Sequence, residues 1–163
     1  MSGDGVRLER VEPRILAAVR AEVEVGRVGA SFREPLDQVW RFLGDHPGLR
    51  THGHNVFLYH HPPAGSATHL LTVDFGVEVV RPFADEGAVR CVATPAGEAA
   101  TIDHLGPFDG LAAAHEAVRT WCREHGRTIG AASWEVYGDW ADPDRLETTI
   151  AYLLAAPTAT IAG

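Results

Sequence analysis

The sequence predicts an α+β fold made of duplicated βαββ modules, which form a mostly antiparallel sheet with helices on one side and a central cleft. Each half of the chain holds one amphipathic helical segment, with one strand-like segment before it and two after it. The aromatic residues also repeat, since Trp40 and Trp121 are 81 residues apart and Tyr59 and Tyr137 are 78 apart. A duplicated unit accounts for both observations, and two packed halves leave a cleft where they meet.

The first module spans about residues 11–80. Apolar and charged residues alternate from Ile15 to Val25, which is the period-two pattern of a half-buried strand. A helix is predicted near Ser31–Leu43, because apolar residues recur there at the spacing of one helical face, namely Leu36, Val39, Trp40 and Leu43. The segments NVFLYHH and HLLTVDFGVEVV then predict two strands joined by the turn PPAGS.

The second module spans about residues 88–155 and repeats this order. The segment VRCVATPAGEAATIDHL predicts one strand, Phe108–Glu124 predicts a helix, and two strands follow around DWADPDR. The inward stripe of this helix is Leu111, Ala114, Val118 and Trp121. We expect residues 11–157 to form a single domain, residues 1–10 to be an N-terminal segment that need not be ordered, and residues 158–163 to be a C-terminal tail.

Composition and charge argue against several classes of partner. The chain has 163 residues, 45% hydrophobic and 22% charged, as in one ordinary globular domain. Its formal net charge is −8 and its 14 basic residues are scattered, so we expect no direct nucleic-acid partner. No apolar run approaches the roughly 18 residues that a membrane helix needs, and the N-terminus lacks the apolar centre of a signal peptide. We therefore expect a cytoplasmic protein without a membrane segment.

The cysteines and histidines do not form a metal-binding pattern. Cys91 and Cys122 lack the CxxC spacing, so reduced thiols are expected. Among the nine histidines, His60 and His61 alternate to opposite faces of a strand, and no nearby pair has the helical i, i+4 spacing of a zincin. We expect no metal and no cofactor. His115 and His125 lie on the second predicted helix and are expected to face solvent or to belong to its closing turn.

The segment SWEVYGDW places one carboxylate among aromatic residues. Strand alternation puts Glu135 and Tyr137 on one face and Trp134 and Trp140 on the other. If the second face packs on the helices, Glu135 looks into the cleft. By the repeat, the opposing wall of the cleft consists of Phe57, Tyr59 and His61. A carboxylate among aromatic rings suits a flat cation, although an exposed glutamate on an open sheet remains the alternative.

Longer segments resemble a known family. HLGPFDGLAAAHEAVRTW, which begins at His104, resembles the His-x-Gly-Pro-Tyr-Asp-x-Leu segment of GyrI-like small-molecule-binding domains, also called AraC-type effector-binding domains, with Phe108 in place of the commoner tyrosine. SWEVYGDWADPDRLETTIAYLL resembles the closing hairpin of that family, and NVFLYHHPP with VDFGVEV resembles its first-half counterpart. The resemblance covers roughly residues 11–154 in the same order. It implies two βαββ modules and a central pocket, which in BmrR-type multidrug-sensing regulators holds lipophilic, often cationic, compounds against a glutamate.

Two features differ from the family pattern. In many members the domain is fused behind a DNA-binding helix-turn-helix. A chain of 163 residues leaves no room for one beside the domain, so a stand-alone domain is expected. Many also carry an acidic residue where this chain has Thr149 after Thr148, which puts a second pocket carboxylate in doubt.

The resemblance places the ligand-facing glutamate at Glu135. Its neighbours on the cleft face complete the candidate ligand-binding set. His104 is expected at the pocket rim. Trp134 and Trp140 are expected either in the core or at the pocket edge. The set is Phe57, Tyr59, His61, His104, Phe108, Trp134, Glu135, Tyr137 and Trp140. If the protein is an enzyme, the catalytic residues are Glu135 and Tyr137.

Three functions remain open. The leading hypothesis is a binding protein for small hydrophobic, cationic or aromatic compounds, which serves in sensing, sequestration or resistance. The second is a hydrolase of strained electrophilic compounds of the cyclopropane type, since some GyrI-like proteins have that activity. The third is a protein-interaction role like that of the gyrase-modulating members, with a protein partner. Under any of the three, we expect a monomer or a weak dimer. No Ser-His-Asp, Cys-His, phosphate-loop or metal motif demands catalysis, so binding is favoured.

Overall fold

The computed structural model describes residues 5–50, 53–62, 65, 69–138 and 146–156. These residues form eight strands and three helices, in agreement with the predicted α+β class. The strands are β1 Arg7–Val11, β2 Ile15–Glu24, β3 Asn55–His60, β4 Leu70–Glu78, β5 Val89–Ala93, β6 Gly97–Leu105, β7 Ile129–Tyr137 and β8 Glu147–Leu154. The helices are α1 Val28–Ser31, α2 Arg33–Asp45 and α3 Leu111–Glu124, with short 3-10 turns at Pro47–Leu49 and Phe108–Gly110.

All eight strands form one antiparallel sheet in the order β1-β6-β8-β7-β3-β4-β2-β5. The two predicted modules correspond to β2-α2-β3-β4 and β6-α3-β7-β8, and their equivalent strands β3 and β7 pair at the centre. In that pair Phe57 lies directly opposite Glu135. These two residues are themselves 78 apart, like Tyr59 and Tyr137, so the pseudo-twofold axis passes between them.

The edge strands are exchanged between the modules. Strand β1 comes before the first module but pairs with β6 of the second, whereas β5 comes before β6 but pairs with β2 of the first. The domain therefore begins earlier than the predicted residue 11, because Arg7–Val11 belongs to the sheet. The segment predicted as one strand before α3 forms two strands, β5 and β6. Pro95 lies between them, and because proline has no amide proton it cannot donate to the backbone hydrogen bonds of a sheet.

Both long helices cover the same face of the sheet. Helix α2 packs on β2 and β4, and α3 packs on β6 and β8. Their buried residues belong to two separate hydrophobic clusters, one around Val39, Leu43 and Phe75 and the other around Val118 and Ile150. Both helices begin two or three residues after the predicted start. Because each helix sits over the outer strands of its own module, the central pair β3 and β7 is left facing the space between the helices.

The other face of the sheet is closed by strand residues alone within the described part of the chain. Its buried cluster includes Leu16, Val56, Leu58 and Trp134, all between 0% and 3% exposed. Gly76 of β4 lies within this face, where an added Cβ would stand 3.0 Å from the Cβ of Ala18. Among the described residues, no helix is both long and apolar enough to cross a bilayer.

Candidate functional site

A cavity of about 680 Å³ opens on the helix-covered face, beside the central strand pair. Its outer side is formed by α1 and α2, its base by β3 and β7, and its far rim by the start of α3 and of β8. The described lining residues are Val28, Gly29, Phe32, Arg33, Leu36, Asp37, Trp40, Asn55, Phe57, Tyr59, Phe108, Leu111, Glu135, Tyr137, Gly138, Leu146 and Glu147. The cavity is thus largely apolar, with a few polar groups.

Aromatic rings in contact with one another form its walls. The rings of Phe32 and Phe57 are 5.8 Å apart, and Phe57 meets Tyr137 edge-on at 4.8 Å. Phe108 meets Tyr137 edge-on at 5.6 Å and is 48% exposed, which places it at the mouth. The resulting row of rings lines the cavity from the first module to the second.

Glu135 lies at the base of this cavity with only 4% of its surface exposed. Its Oε1 accepts hydrogen bonds from the hydroxyls of Tyr59 and Tyr137, the latter at 2.8 Å. Its Oε2 lies 2.8 Å from Nε2 of His115 on α3. The two tyrosines belong to different modules, so the carboxylate is held by groups from both halves of the chain.

These contacts decide the protonation states of the site. Burial alone would raise the pKa of Glu135, but its hydrogen bond and charge interaction with His115, together with the two tyrosine hydroxyls, bring that pKa below its usual range. Burial and the nearby carboxylate raise the pKa of Tyr59 and of Tyr137 well above the ordinary value of a phenol. Glu135 is therefore ionised at neutral pH, and both tyrosines remain protonated donors.

His115 was predicted to face solvent or to belong to the closing turn of its helix, and for His115 both alternatives are wrong. Its side chain is only 17% exposed, and its Nδ1 lies 2.6 Å from the hydroxyl of Tyr152 on β8. The sequence holds a signal that would have found it, since His115 is four residues after Leu111 and three before Val118 on the inward stripe of α3. A polar residue at that position needs a buried polar partner.

The structure brings together five of the predicted ligand-binding residues, which are Phe57, Tyr59, Phe108, Glu135 and Tyr137. Trp134 is 3% exposed and lies on the opposite face of the sheet, so it is not part of the cavity lining. Trp140 lies outside the described residues. The predicted ligand-binding set did not include Phe32 or Trp40, although both line the cavity as well as packing against the first cluster.

The two remaining predicted residues, His61 and His104, make other contacts. His61 bonds through Nδ1 to the carbonyl of Gly130 at 3.1 Å and through Nε2 to Ser133 at 2.8 Å. Burial lowers the pKa of His61, which favours the neutral ring. His104 bonds through Nε2 to the carbonyl of Pro107 at 2.8 Å. A Cβ on Gly110 would meet the His104 ring at 2.5 Å, so the histidine shapes the loop that carries Phe108.

The chemistry of the site is that of a charged aromatic pocket. Within the described ranges, no group of three or more histidine, cysteine or acidic side chains is placed to hold a metal ion. Arg33, Asp37 and Glu147 are exposed lining residues, so Glu135 is the one buried charge among the described residues of the lining.

Comparison with known proteins identifies the family of this domain. The GyrI-like small molecule binding domain matches residues 5–153. The chain belongs to this family. A search of curated protein sequences found no match.

Solved structures of the same fold include one with a bound small molecule. The C-terminal domain of EcmrR is 23% identical, with a TM-score of 0.72 over 92% of this chain and 96% of that chain. SAV2435 bound to tetraphenylphosphonium is 12% identical, with a TM-score of 0.67 over 93% and 94%. A hydrolase encoded by lin2189 from Listeria innocua is 10% identical, with a TM-score of 0.56 over 92% and 91%. At these identities the likeness establishes the fold of this GyrI-like domain.

Proposed function

We propose that this GyrI-like domain binds small hydrophobic compounds that are aromatic and carry a positive charge, and that it acts in sensing or sequestration. The observation that carries the proposal is the ionised Glu135, 4% exposed, at the base of a cavity lined by aromatic rings. A buried negative charge attracts a cation more strongly than one in water, and the ring faces add cation–π attraction.

The hydrogen bonds of Glu135 favour one kind of cation. A carboxylate has about four acceptor positions, and three donors already point at Glu135. A primary ammonium needs free acceptors, whereas a quaternary or delocalised cation needs only the field of the charge and apolar contact. We therefore expect lipophilic quaternary cations to bind better than primary amines of similar size.

The size of the cavity and one structural relative support this choice. A volume of about 680 Å³ lies in the roughly 300–1,000 Å³ range of sites for drug-sized ligands. The related SAV2435 structure contains tetraphenylphosphonium, a lipophilic quaternary cation. That compound is accordingly the first probe for this chain.

Binding is tested by calorimetric titration and thermal unfolding with tetraphenylphosphonium and with triphenylphosphine oxide, a neutral compound that keeps three of the four phenyl groups on phosphorus. At about 100 times its dissociation constant, a ligand adds about 2.7 kcal/mol to the free energy of unfolding. For a domain of this size the melting temperature then rises by roughly 5–10 °C. If neither these probes nor a panel of planar aromatic cations changes the melting temperature, the binding function is refuted.

Hydrolysis of strained electrophiles is the second candidate, because Tyr59 and Tyr137 place two hydroxyl donors beside a carboxylate. In such a reaction a tyrosine would protonate the leaving group and Glu135 would activate water. A carboxylate of lowered pKa is a weak base, which favours binding over hydrolysis. Mass spectrometry of ligands recovered after incubation separates the two, since a water adduct indicates hydrolysis and an unchanged compound indicates binding.

A further inference from the structure

One histidine contacts the pocket carboxylate without lining the cavity. Nε2 of His115 is 2.8 Å from Oε2 of Glu135, on the side away from the two tyrosines. Nδ1 of the same ring is 2.6 Å from the hydroxyl of Tyr152. Glu135, His115 and Tyr152 thus form a continuous hydrogen-bonded chain from the base of the cavity to β8.

The partners on this chain allow the imidazole to be neutral or charged. A carboxylate only accepts, so Nε2 of His115 carries a proton in either state. The Tyr152 hydroxyl can donate to Nδ1 of a neutral ring or accept from Nδ1 of a protonated ring. Both protonation states therefore keep both hydrogen bonds, and the ring can gain or lose a proton without moving.

We propose that His115 determines which ligand charge the pocket accepts. With a neutral ring, Glu135 gives the site a net charge of −1 and favours cations. With a protonated ring, the two groups form an ion pair of zero net charge, and uncharged ligands of the same shape compete better. This inference rests on the proposed binding function and assigns its charge specificity to a residue outside the lining.

The other groups that face His115 keep a constant charge over the range where imidazoles titrate, about pH 5–8. On the sheet, the pKa of Glu135 is below its usual range and the pKa values of Tyr59 and Tyr137 are raised. Burial raises the pKa of Tyr152 to about 12.

On α3, the guanidinium of Arg119 lies 5.9 Å from the centre of the Tyr152 ring. Glu116 forms ion pairs with Arg119 and Arg123. Burial raises the pKa of the Cys122 thiol. The exception is His61 at the end of β3, whose ring centre is 5.8 Å from that of Tyr152. Among the described residues it is a second imidazole near His115, and the experiment must separate the two.

The test is the affinity of tetraphenylphosphonium and of triphenylphosphine oxide from pH 5.5 to 8.5, measured by calorimetry. The charge of the phosphonium does not titrate, so any pH dependence belongs to the protein. We expect its affinity to rise about tenfold or more with pH, and that of the neutral probe to change little. Replacing His115→Gln keeps an N–H group near Glu135 but removes the titration, so the phosphonium affinity should stay at its high-pH level throughout.

Three further variants sharpen the assignment. His125→Gln, on the exposed end of the same helix, should keep the wild-type profile. Tyr152→Phe removes the hydrogen bond at Nδ1 from both protonation states. Because the bond donated by the protonated ring is the stronger, charge-assisted one, the midpoint of the affinity change should move to lower pH. His61→Gln should keep the pH dependence of phosphonium affinity. If that pH dependence disappears in His61→Gln but persists in His115→Gln, the effect belongs to His61 and the proposal is overturned.

The outcomes also separate this inference from the proposed function. If neither probe binds at any pH, the binding function fails. If the phosphonium binds with one affinity at every pH, or if His115→Gln keeps the wild-type profile, only the role of His115 fails. If His115→Gln does not fold, the role of His115 is tested in the wild-type protein by following its ring protons with NMR as pH changes, with and without the phosphonium. Because the phosphonium is proposed to favour the neutral ring, a saturating amount of it must lower the midpoint of the His115 titration by reciprocal linkage. An unchanged midpoint overturns the proposal.

Discussion

Glu135 owes its properties to neighbours that lie far away along the chain. Tyr59 comes from the first module, and His115 comes from a helix that precedes β7. A buried carboxylate without such partners would raise its pKa and become neutral. The three donors keep it charged, and the charge is what a cationic ligand would recognise.

We predict that Glu135→Gln weakens cation binding selectively. The amide keeps the size of the side chain and removes the charge, so the affinity for tetraphenylphosphonium should fall by about 1–3 kcal/mol. Triphenylphosphine oxide should bind with nearly unchanged affinity, which makes it the internal control. The fold should persist, because the His115 ring can change tautomer and accept from the amide. Equal losses for both probes would mean that the variant damages the pocket rather than its charge.

A second buried carboxylate lies on the opposite face of the sheet and concerns stability. Asp74 is 1% exposed, accepts two hydrogen bonds from Arg20 at 2.9 Å each, and lies 2.7 Å from Nε2 of His60. Burial would raise the pKa of Asp74, but His60 and Arg20 together lower it below the usual range. A lowered folded-state pKa contributes stability that is present above the unfolded-state pKa and is lost as pH falls through the folded-state pKa.

Asp74→Asn should therefore lower the free energy of unfolding at neutral pH by about 2 kcal/mol. Below about pH 4 the difference from wild type should shrink, because the wild-type carboxylate becomes protonated first in the unfolded chain and then, at lower pH, in the folded protein. Urea unfolding at several pH values measures both effects. Phosphonium affinity is the control, since Asp74 does not face the cavity. A destabilisation that is the same at pH 3 and pH 7 would show that the ion pair is not its cause.

At the scale of single elements, β4 is constrained by its neighbour β2. A Cβ on Gly76 would lie 3.0 Å from the backbone oxygen of Ala17 and 3.0 Å from the Cβ of Ala18. The two strands pair over nine residues, so neither can shift alone. Gly44 in α2 differs, because it is exposed and nothing stands within 4 Å of an added Cβ.

This contrast predicts opposite effects of the same substitution. Gly76→Ala should destabilise the fold by about 1–3 kcal/mol through overpacking. Gly44→Ala should stabilise it by up to about 1 kcal/mol, because alanine loses less backbone entropy in a helix. Chemical denaturation of the two variants provides the comparison. A neutral or stabilising Gly76→Ala would mean that the strands separate more easily than their contacts indicate.

At the scale of the whole molecule, the exchange of β1 and β5 makes each module incomplete without the other. The first module lacks the edge strand beside β2 unless β5 is present, and the second lacks the strand beside β6 unless β1 is present. The central β3 and β7 pair is also shared between modules. The two modules thus share one continuous sheet.

We predict that the chain unfolds in a single cooperative transition. Fragments of residues 1–84 and 85–163 should each lack cooperative unfolding, because each would expose an unpaired central strand and lose its edge strand. Circular dichroism during heating and denaturant titration tests this. Mixing the two fragments is the control, since the complementary strands can then pair. A sharp thermal transition in either fragment alone would contradict the prediction.

The sequence by itself determined the class of fold, the two long helices and the grouping of Glu135 with Tyr137 on one side of their strand. These follow from local periodicity, because the spacing of apolar residues records which side of an element is buried. The repeat of 78 residues further indicated that Tyr59 and Tyr137 are equivalent. The expectation that the opposite, Trp134 side packs on the helices was wrong.

Tertiary packing alone decided the rest. Whether β5 continues into β6 or pairs with β2, and whether His115 meets Glu135, depends on contacts between segments distant in sequence. Trp134 illustrates the same limit, since alternation placed it opposite Glu135, but only the sheet itself revealed that the helices cover the face of Glu135. Periodicity assigns a residue to a side of its own element, and only the packing of elements determines what covers that side.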